Sequence, residues 1–179
     1  MNVKTLCLAI LYDGDVTGYD IRKMAAEGEY GYFVEASFGA IYPALAKLEA
    51  DGHVSSRIEQ QDGKPAKKIY RITDTGRAEF QNELFESLTT DVFRSEFLLF
   101  ARFAYLLPEE LVQNRIDGQM ADFDDQLAHI EKLRKDNDHP GENWVLNHGC
   151  CCLTAARDHL IKHSSKLLAM AKPAADAAE

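Results

Sequence analysis

A mainly α-helical chain with one small β-hairpin is the fold class that three observations predict. Residues 37–52 carry apolar side chains at helical spacing, with a serine at the start and a glycine at the end. Residues 63–77 alternate basic and apolar side chains behind a Gly-Lys-Pro turn, which indicates a two-stranded ribbon. Long helical patterns fill the chain from residue 92 onward. A short amphipathic helix followed by a basic ribbon is typical of a winged helix-turn-helix.

Three helices are expected before the ribbon. The first covers 3–12, is apolar on most sides and ends at an Asp-Gly-Asp sequence. Thr17 is a suitable N-cap for the second helix, which ends among the glycines near residue 30. Ser37 opens the third helix, whose apolar face carries Phe38, Ile41, Leu45 and Leu48.

The ribbon is predicted as two strands and a turn, and we call it the wing. The first strand covers 53–60, the turn 61–66 and the return strand 67–73. Thr73 then caps a fourth helix that runs to about residue 88. Three helices, a hairpin and a helix make up the winged-helix order.

The second half predicts three more helices. Residues 92–107 are nearly all apolar, which predicts a helix covered on several sides. Pro108 suits the first turn of the next helix, and the last helix covers 142–171. We therefore expect a DNA-binding domain at 1–88, an α-helical dimerisation domain at 89–172 and a flexible tail at 173–179. Between Pro108 and the last helix, apolar residues recur at alternating spacings of four and three, the pattern of a helix lying along another helix; they are Ile116, Met120, Phe123, Leu127 and Ile130.

Composition favours a small regulator that works in the cytoplasm. The chain has 179 residues, 46% of them hydrophobic, which suffices for a packed core. Its formal net charge of -9 argues against DNA binding by the surface as a whole, so any DNA contact needs a local basic patch. Residues 57–77 supply such a patch. No targeting segment or membrane span is evident, and consecutive cysteines at 150–152 are more typical of a reducing compartment than of a disulfide framework.

Three segments resemble the PadR family of bacterial transcriptional regulators. They are Gly18-Tyr19-Asp20-Ile21, GAIYPALAKLEADG at 39–52 and GKPAKKIYRITDTGR at 63–77, in matching order and spacing. The length of the tail and its opening at 93–97 are similar to the long-tailed branch, which includes repressors responsive to phenolic acids and activators of virulence genes. The resemblance implies a homodimer with winged helices at the DNA and helical tails exchanged between subunits.

The DNA-facing residues are predicted on three elements. The outer side of the third helix is small and lacks the side chains that read bases bidentately, so we expect discrimination by close backbone approach, methyl contacts and DNA shape. Two tyrosines beside this face are positioned to donate to phosphates, and lysines supply salt-dependent contacts from the wing. Each of these residues has a plain alternative as core or solvated surface. The expected contacts are Tyr19, Ser37, Gly39, Ala40, Tyr42, Lys47, Lys64, Lys67 and Lys68.

The tail carries two further expectations. Dimerisation is assigned to Phe97 together with the seam residues Ile116, Met120, Phe123, Leu127 and Ile130, although the same seam also suits a helical hairpin within one chain. The aromatic residues Phe93, Phe100, Phe103 and Trp144 either form plain core or line a small-molecule effector pocket beside the DNA-binding module.

Neither an enzyme nor a cofactor is indicated. Phosphate-binding glycine loops, a nucleophile elbow and paired catalytic carboxylates are not recognisable. Cys150, Cys151 and Cys152 are expected in core or interface packing, with thiol sensing or metal binding as alternatives. We expect a homodimeric, sequence-specific DNA-binding repressor that reads a pseudo-palindromic operator, with a small-molecule effector left open. The competing interpretation is a ligand- or thiol-responsive sensor whose winged helix mediates protein contacts.

Overall fold

A computed structural model describes residues 2–27, 30, 33, 38–61, 64–135 and 137–173. The chain divides into two compact units, Met1–Asp91 and Val92–Glu179. The first unit contains, in order, α1 (Val3–Asp13), β1 (Val16–Thr17), α2 (Gly18–Glu27), α3 (Phe38–Ala50), β2 (Val54–Gln61), β3 (Lys64–Ile72) and α4 (Asp74–Phe85). The predicted winged-helix order is therefore confirmed, with one short strand added.

Helix α1 is the centre of the first unit. The Asn2 side chain caps it by accepting hydrogen bonds from the backbone N–H groups of Lys4 and Thr5. Its sides are apolar nearly all round, and it packs against α3 and α4. The buried residues of this helix are Thr5, Leu6, Cys7, Leu8, Ile10 and Leu11. This burial confirms the sequence interpretation of a helix covered on most sides.

The sheet has three antiparallel strands in the order β1-β3-β2. Val16 and Thr17 of β1 pair with Tyr70 and Ile69 of β3. This strand was not predicted, because two residues are too few for an alternating pattern to show. The predicted turn at 61–66 is also too long, since β3 already begins at Lys64.

Helix α3 ends on a glycine-based cap, as the sequence predicts. Gly52 has φ +77°, a left-handed conformation that glycine adopts without a Cβ penalty. It lets the N–H of His53 donate to the Leu48 carbonyl at 2.9 Å. Thr73 caps α4 as expected, with its Oγ1 accepting from the N–H of Gly76 at 3.1 Å.

The second unit contains α5 (Glu96–Arg102), a 3-10 turn (Ala104–Leu106), α6 (Glu109–Lys135) and α7 (Pro140–Leu168). The prediction of one helix over 92–107 is wrong. Ser95 Oγ accepts a hydrogen bond from the N–H of Leu98 at 3.1 Å, so this serine caps the helix and fixes a later start. The seventh helix begins two residues earlier than expected, because His139 caps it and Pro140 occupies its first turn.

Helices α6 and α7 form an antiparallel hairpin. Just outside the two helices, where α6 begins and α7 ends, the backbone N–H of Lys172 donates to the Leu107 carbonyl at 2.9 Å. Near the middle, Arg157 Nε donates to Asp124 Oδ1 at 2.6 Å. The apolar core of this unit is small and consists of Ala104, Val112, Ile116, Leu160 and Leu167.

Candidate nucleic-acid interface

Helix α3 presents two different faces. Its inner face buries Ile41, Ala44, Leu45 and Leu48 in the core of the first unit. The residues on its outer side are small or polar: Gly39, Tyr42, Pro43, Ala46 and Lys47 are exposed and Ala40 is half-buried. This division confirms the amphipathic prediction, while Ser37 and the side chain of Phe38 lie outside the described residues. A face with so little side-chain bulk allows another backbone to approach closely.

Tyr42 joins this face to the start of α2. A Cβ on Gly18 would lie only 2.9 Å from Tyr42 Cε1, so the tyrosine ring rests directly on the glycine backbone. Tyr42 is 47% exposed and Tyr19, the next residue along α2, is 59% exposed. The Arg22 guanidinium lies over the Tyr19 ring at 5.4 Å from its centroid. The two tyrosines predicted to contact phosphates are therefore brought together at one exposed edge.

The inner face of the wing turns toward α3. Tyr70 and Ile72 are buried there, so both side chains pack beneath the wing. Lys68 lies on the same face, and its Nζ donates to Glu49 Oε2 at 2.8 Å. Ser56 Oγ donates to the other oxygen of Glu49 at 2.5 Å. These hydrogen bonds lower the pKa of Glu49, with Lys68 the larger cause. Lys68 thus has a carboxylate partner in place of the free, DNA-facing position that the sequence suggested.

The outer face of the wing carries an ion cluster that sequence reasoning missed. Asp15 Oδ2 accepts from Arg71 Nη2 and from Arg57 Nη1, both at 2.7 Å. Arg71 Nε adds a bond of 2.9 Å to Oδ1, so this arginine is bidentate. The hydrogen bonds from Arg71 and then Arg57 lower the pKa of Asp15 to about 2.

The remaining predicted cations differ in their surroundings. Lys67 is exposed on the outer face, and no ion pair joins it to another described residue. The side chain of Lys64 lies outside the described part of the chain. Lys47 is exposed but pairs with Asp51 one helical turn later, Nζ to Oδ1 at 2.8 Å. Arg77, counted in the basic patch, lies over the Tyr12 ring at 4.5 Å.

The dimerisation residues already have contacts within the chain. Ile116 is buried in the core of the second unit, and Phe97, Met120 and Phe123 pack against that core. Leu127 and Ile130, farther along α6, are half-buried. The predicted alternative, a helical hairpin within one chain, therefore accounts for at least part of the seam. Helix α5 has no buried residue.

The four aromatic residues proposed for an effector pocket all lie in the second unit. Phe100 packs against the core of that unit. Phe93 is 83% exposed and Trp144 is 70% exposed, and Trp144 stacks on His148 with ring centroids 5.8 Å apart. Phe103 is also exposed. Within one chain these residues do not enclose a cavity, because three of the four are open to solvent.

The four cysteines differ in burial, and Cys150 is half-buried. Cys7 is buried, and burial raises its pKa to about 12. Cys151 and Cys152 are exposed, so packing in the core of the chain is wrong for these two. Cys152 Sγ lies 3.6 Å from His148 Nε2, one helical turn away. Among the described residues, no group of three potential metal ligands comes together.

None of the helices in the described part of the chain is both long enough and apolar enough to cross a membrane.

A core of helices carrying a three-stranded sheet, with a small-residue face on the third helix, defines a winged helix-turn-helix protein. The profile of the transcriptional regulator PadR-like family matches residues 7–82. The negative transcriptional regulator PadR of Bacillus subtilis is 32% identical over 136 residues, which cover 73% of this chain and 74% of that protein. This chain belongs to the PadR-like family of transcriptional regulators.

Solved structures extend the similarity to the helical tail. Bacillus subtilis PadR in complex with operator DNA has a TM-score of 0.71 and 26% identity, over 93% of this chain and 98% of that one. The same regulator in complex with p-coumaric acid has a TM-score of 0.64 and 25% identity, over 94% and 98% of the two chains. The fold of both units is therefore that of a PadR-like regulator.

Proposed function

We propose that this protein is a homodimeric repressor that binds a pseudo-palindromic operator through α3, the start of α2 and the wing. The observation that carries the proposal is the exposed small-residue face of α3, with Tyr42 resting on Gly18 beside it. Bacillus subtilis PadR, the 32% identical relative, is a negative regulator and has been solved on operator DNA. These relationships favour transcriptional repression, which takes place in the cytoplasm of bacteria.

The contacts are assigned as follows. Gly39 and Ala40 approach base edges, Tyr19 and Tyr42 donate to phosphates, and Lys67 supplies a salt-dependent contact from the wing. Lys64, at the start of β3, is assigned the same role by its position beside the turn. Lys47 and Ser37 complete the proposed surface at the two ends of α3.

The dimer is proposed to form through the second unit. Apolar residues of α5 and the following turn are exposed in the single chain, among them Leu98, Leu99, Phe103, Tyr105 and Leu106. Several exposed apolar side chains within one short segment favour association with another chain. Phe97, with the half-buried seam of α6, would extend the same contact. Two-fold symmetry would then place two winged helices on half-sites about one helical turn apart.

Effector control is proposed for the aromatic residues of the second unit. Bacillus subtilis PadR has been solved with p-coumaric acid, a phenolic acid. An effector of this aromatic class suits Phe93, Phe100, Phe103 and Trp144, once a second subunit covers the three residues that are exposed in one chain.

The test is a mobility shift with the promoter region beside the protein's own gene, repeated across salt concentrations. We expect specific retardation that weakens as salt rises. An Ala40→Glu variant serves as the control, because it places a carboxylate on the proposed groove face without filling the core. A folded Ala40→Glu protein with full operator affinity would refute the assignment of α3. If the wild-type protein has no affinity for the operator, the competing interpretation is favoured, in which the chain is a sensor whose winged helix contacts other proteins.

Dimerisation is tested separately by sedimentation. We expect the full chain to sediment as a dimer at micromolar concentration, and the fragment 1–88 to sediment as a monomer with much weaker DNA affinity. A monomeric full-length protein would assign the α6 seam entirely to the hairpin with α7.

A further inference from the structure

Three cations of the wing are held in ion pairs by two carboxylates that lie outside it. On its outer face, Asp15 engages Arg57 and Arg71 through hydrogen bonds of 2.7 to 2.9 Å. On its inner face, Glu49 engages Lys68 at 2.8 Å. Three of the wing's cations are thus paired with carboxylates that come from other elements of the first unit.

The pairing is built into the fold. Val16 lies opposite Tyr70 in the sheet, so Asp15, one residue earlier, comes opposite Arg71 on the next rung. Glu49 stands in the last turn of α3, where a rigid helix holds it against the hairpin. Both carboxylates have a lowered pKa, so they are ionised at neutral pH and the pairs persist there.

A carboxylate competes with a phosphate for the same N–H donors. Phosphate contacts provide affinity for any DNA sequence, whereas base contacts and DNA shape provide discrimination. Cations that are already paired add little to binding at random sites, because breaking each pair offsets the gain at the phosphate. Specificity is a ratio of affinities, so weaker random binding raises it even when the operator contacts are unchanged.

We propose that Asp15 and Glu49 are specificity determinants that hold three wing cations in ion pairs and thereby limit sequence-independent binding to DNA phosphates. The inference rests on the proposed DNA-binding function and adds a role for acidic residues within the interface. It also gives a function to carboxylates that lie beside the basic wing, where negative charge would otherwise only oppose DNA binding.

The experiment measures binding to a labelled random-sequence duplex by fluorescence anisotropy, between about 50 and 200 mM salt. The variants are Asp15→Asn, which releases two arginines, and Glu49→Gln, which releases one lysine. Each released cation that meets a phosphate steepens the slope of log affinity against log salt by about 0.9. We expect a steeper slope and tighter random binding in both variants, with the larger change in Asp15→Asn.

Glu86→Gln is the control for net charge. Glu86 is exposed just after α4 and forms no ion pair with another described residue, so its substitution changes the net charge equally but releases no wing cation. A second control adds Arg57→Gln and Arg71→Gln to Asp15→Asn, which should restore the wild-type slope.

Changes in Asp15→Asn and Glu49→Gln no larger than in Glu86→Gln would overturn the inference, as would weaker random binding at an unchanged slope. If Asp15→Asn does not fold, Glu49→Gln decides the outcome alone, because its carboxylate lies on a different element. Wild-type operator binding is measured in parallel. Operator binding with unchanged variant slopes refutes this inference and leaves the proposed function intact, whereas a wild-type protein that binds no duplex refutes both.

Discussion

Replacing Gly18 with alanine is expected to weaken operator binding about tenfold while leaving the fold intact. The new Cβ would lie 2.9 Å from Tyr42 Cε1 and 3.4 Å from Tyr70 Cε2. Tyr70 is buried and fixed, but Tyr42 is exposed and free to turn away. Its ring must retreat by about 0.5 Å to regain ordinary contact, which moves the hydroxyl away from the phosphate assigned to it.

The magnitude follows from the hydrogen bond that is lost. A hydrogen bond to a charged group contributes about 1.5–3 kcal/mol, and about 1.4 kcal/mol corresponds to tenfold in affinity. Stability should change little, because moving an exposed ring costs little and alanine is favoured over glycine within a helix by about 0.5–1 kcal/mol. The assays are operator titration by anisotropy and thermal unfolding by circular dichroism.

Gly14→Ala is the control, since a Cβ there has no neighbour within 4 Å and the backbone is extended, with φ 168°. Tyr42→Phe removes the hydroxyl directly and should weaken binding by a similar factor. If Gly18 acts through Tyr42, the two substitutions combined should cost little more than either one alone. Fully additive losses would show that Tyr42 does not transmit the effect and would refute this reasoning.

Three further predictions concern the first unit. Gly76→Ala should destabilise it by about 3 kcal/mol or more in denaturant titrations, because its Cβ would lie 2.0 Å from the backbone oxygen of His53; a loss below about 1 kcal/mol would contradict this packing. Lys67→Ala should reduce the salt slope of operator binding by about 0.9 per winged helix at unchanged base preference, and an altered base preference would contradict the phosphate contact. The pKa of Asp15 is lowered to about 2 in the folded protein, so its ion pairs stabilise the protein above about pH 4 and are lost as the pH falls through 2. Asp15→Asn should therefore lower the melting temperature near neutral pH and have the same melting temperature as wild type near pH 2.

Local signals in the sequence predicted the first unit well. Gly52 marks the end of α3 because only a residue without a Cβ readily adopts the φ of +77° needed there. Thr73 marks the start of α4 because its hydroxyl accepts from a backbone N–H three residues later. Such signals involve neighbours in sequence, so they are visible without a structure. The alternation that buries Tyr70 and Ile72 is equally local.

The second unit was predicted less well because an apolar pattern does not show which helix, of the same or of another chain, packs against it. Residues 92–107 are apolar enough for a buried helix, yet α5 spans only Glu96–Arg102 and buries no residue within the chain. Conversely, the seam on α6 was assigned to a second subunit, but Ile116 packs into the hairpin with α7. Both patterns indicate an apolar surface that is buried in the functional protein. The sequence alone does not show whether the same chain or a second chain buries it.

The ion pairs of the wing show a different limit of sequence reasoning. Counting cations in 57–77 suggested a free basic patch, but Asp15 lies 56 residues from Arg71 and meets it only through the register of β1 with β3. The two-residue strand β1, which has no recognisable sequence pattern, therefore places the carboxylate that pairs with the wing arginines. With those cations paired, the proposed DNA contact depends less on charge and more on the small face of α3, where shape and close approach discriminate between sequences.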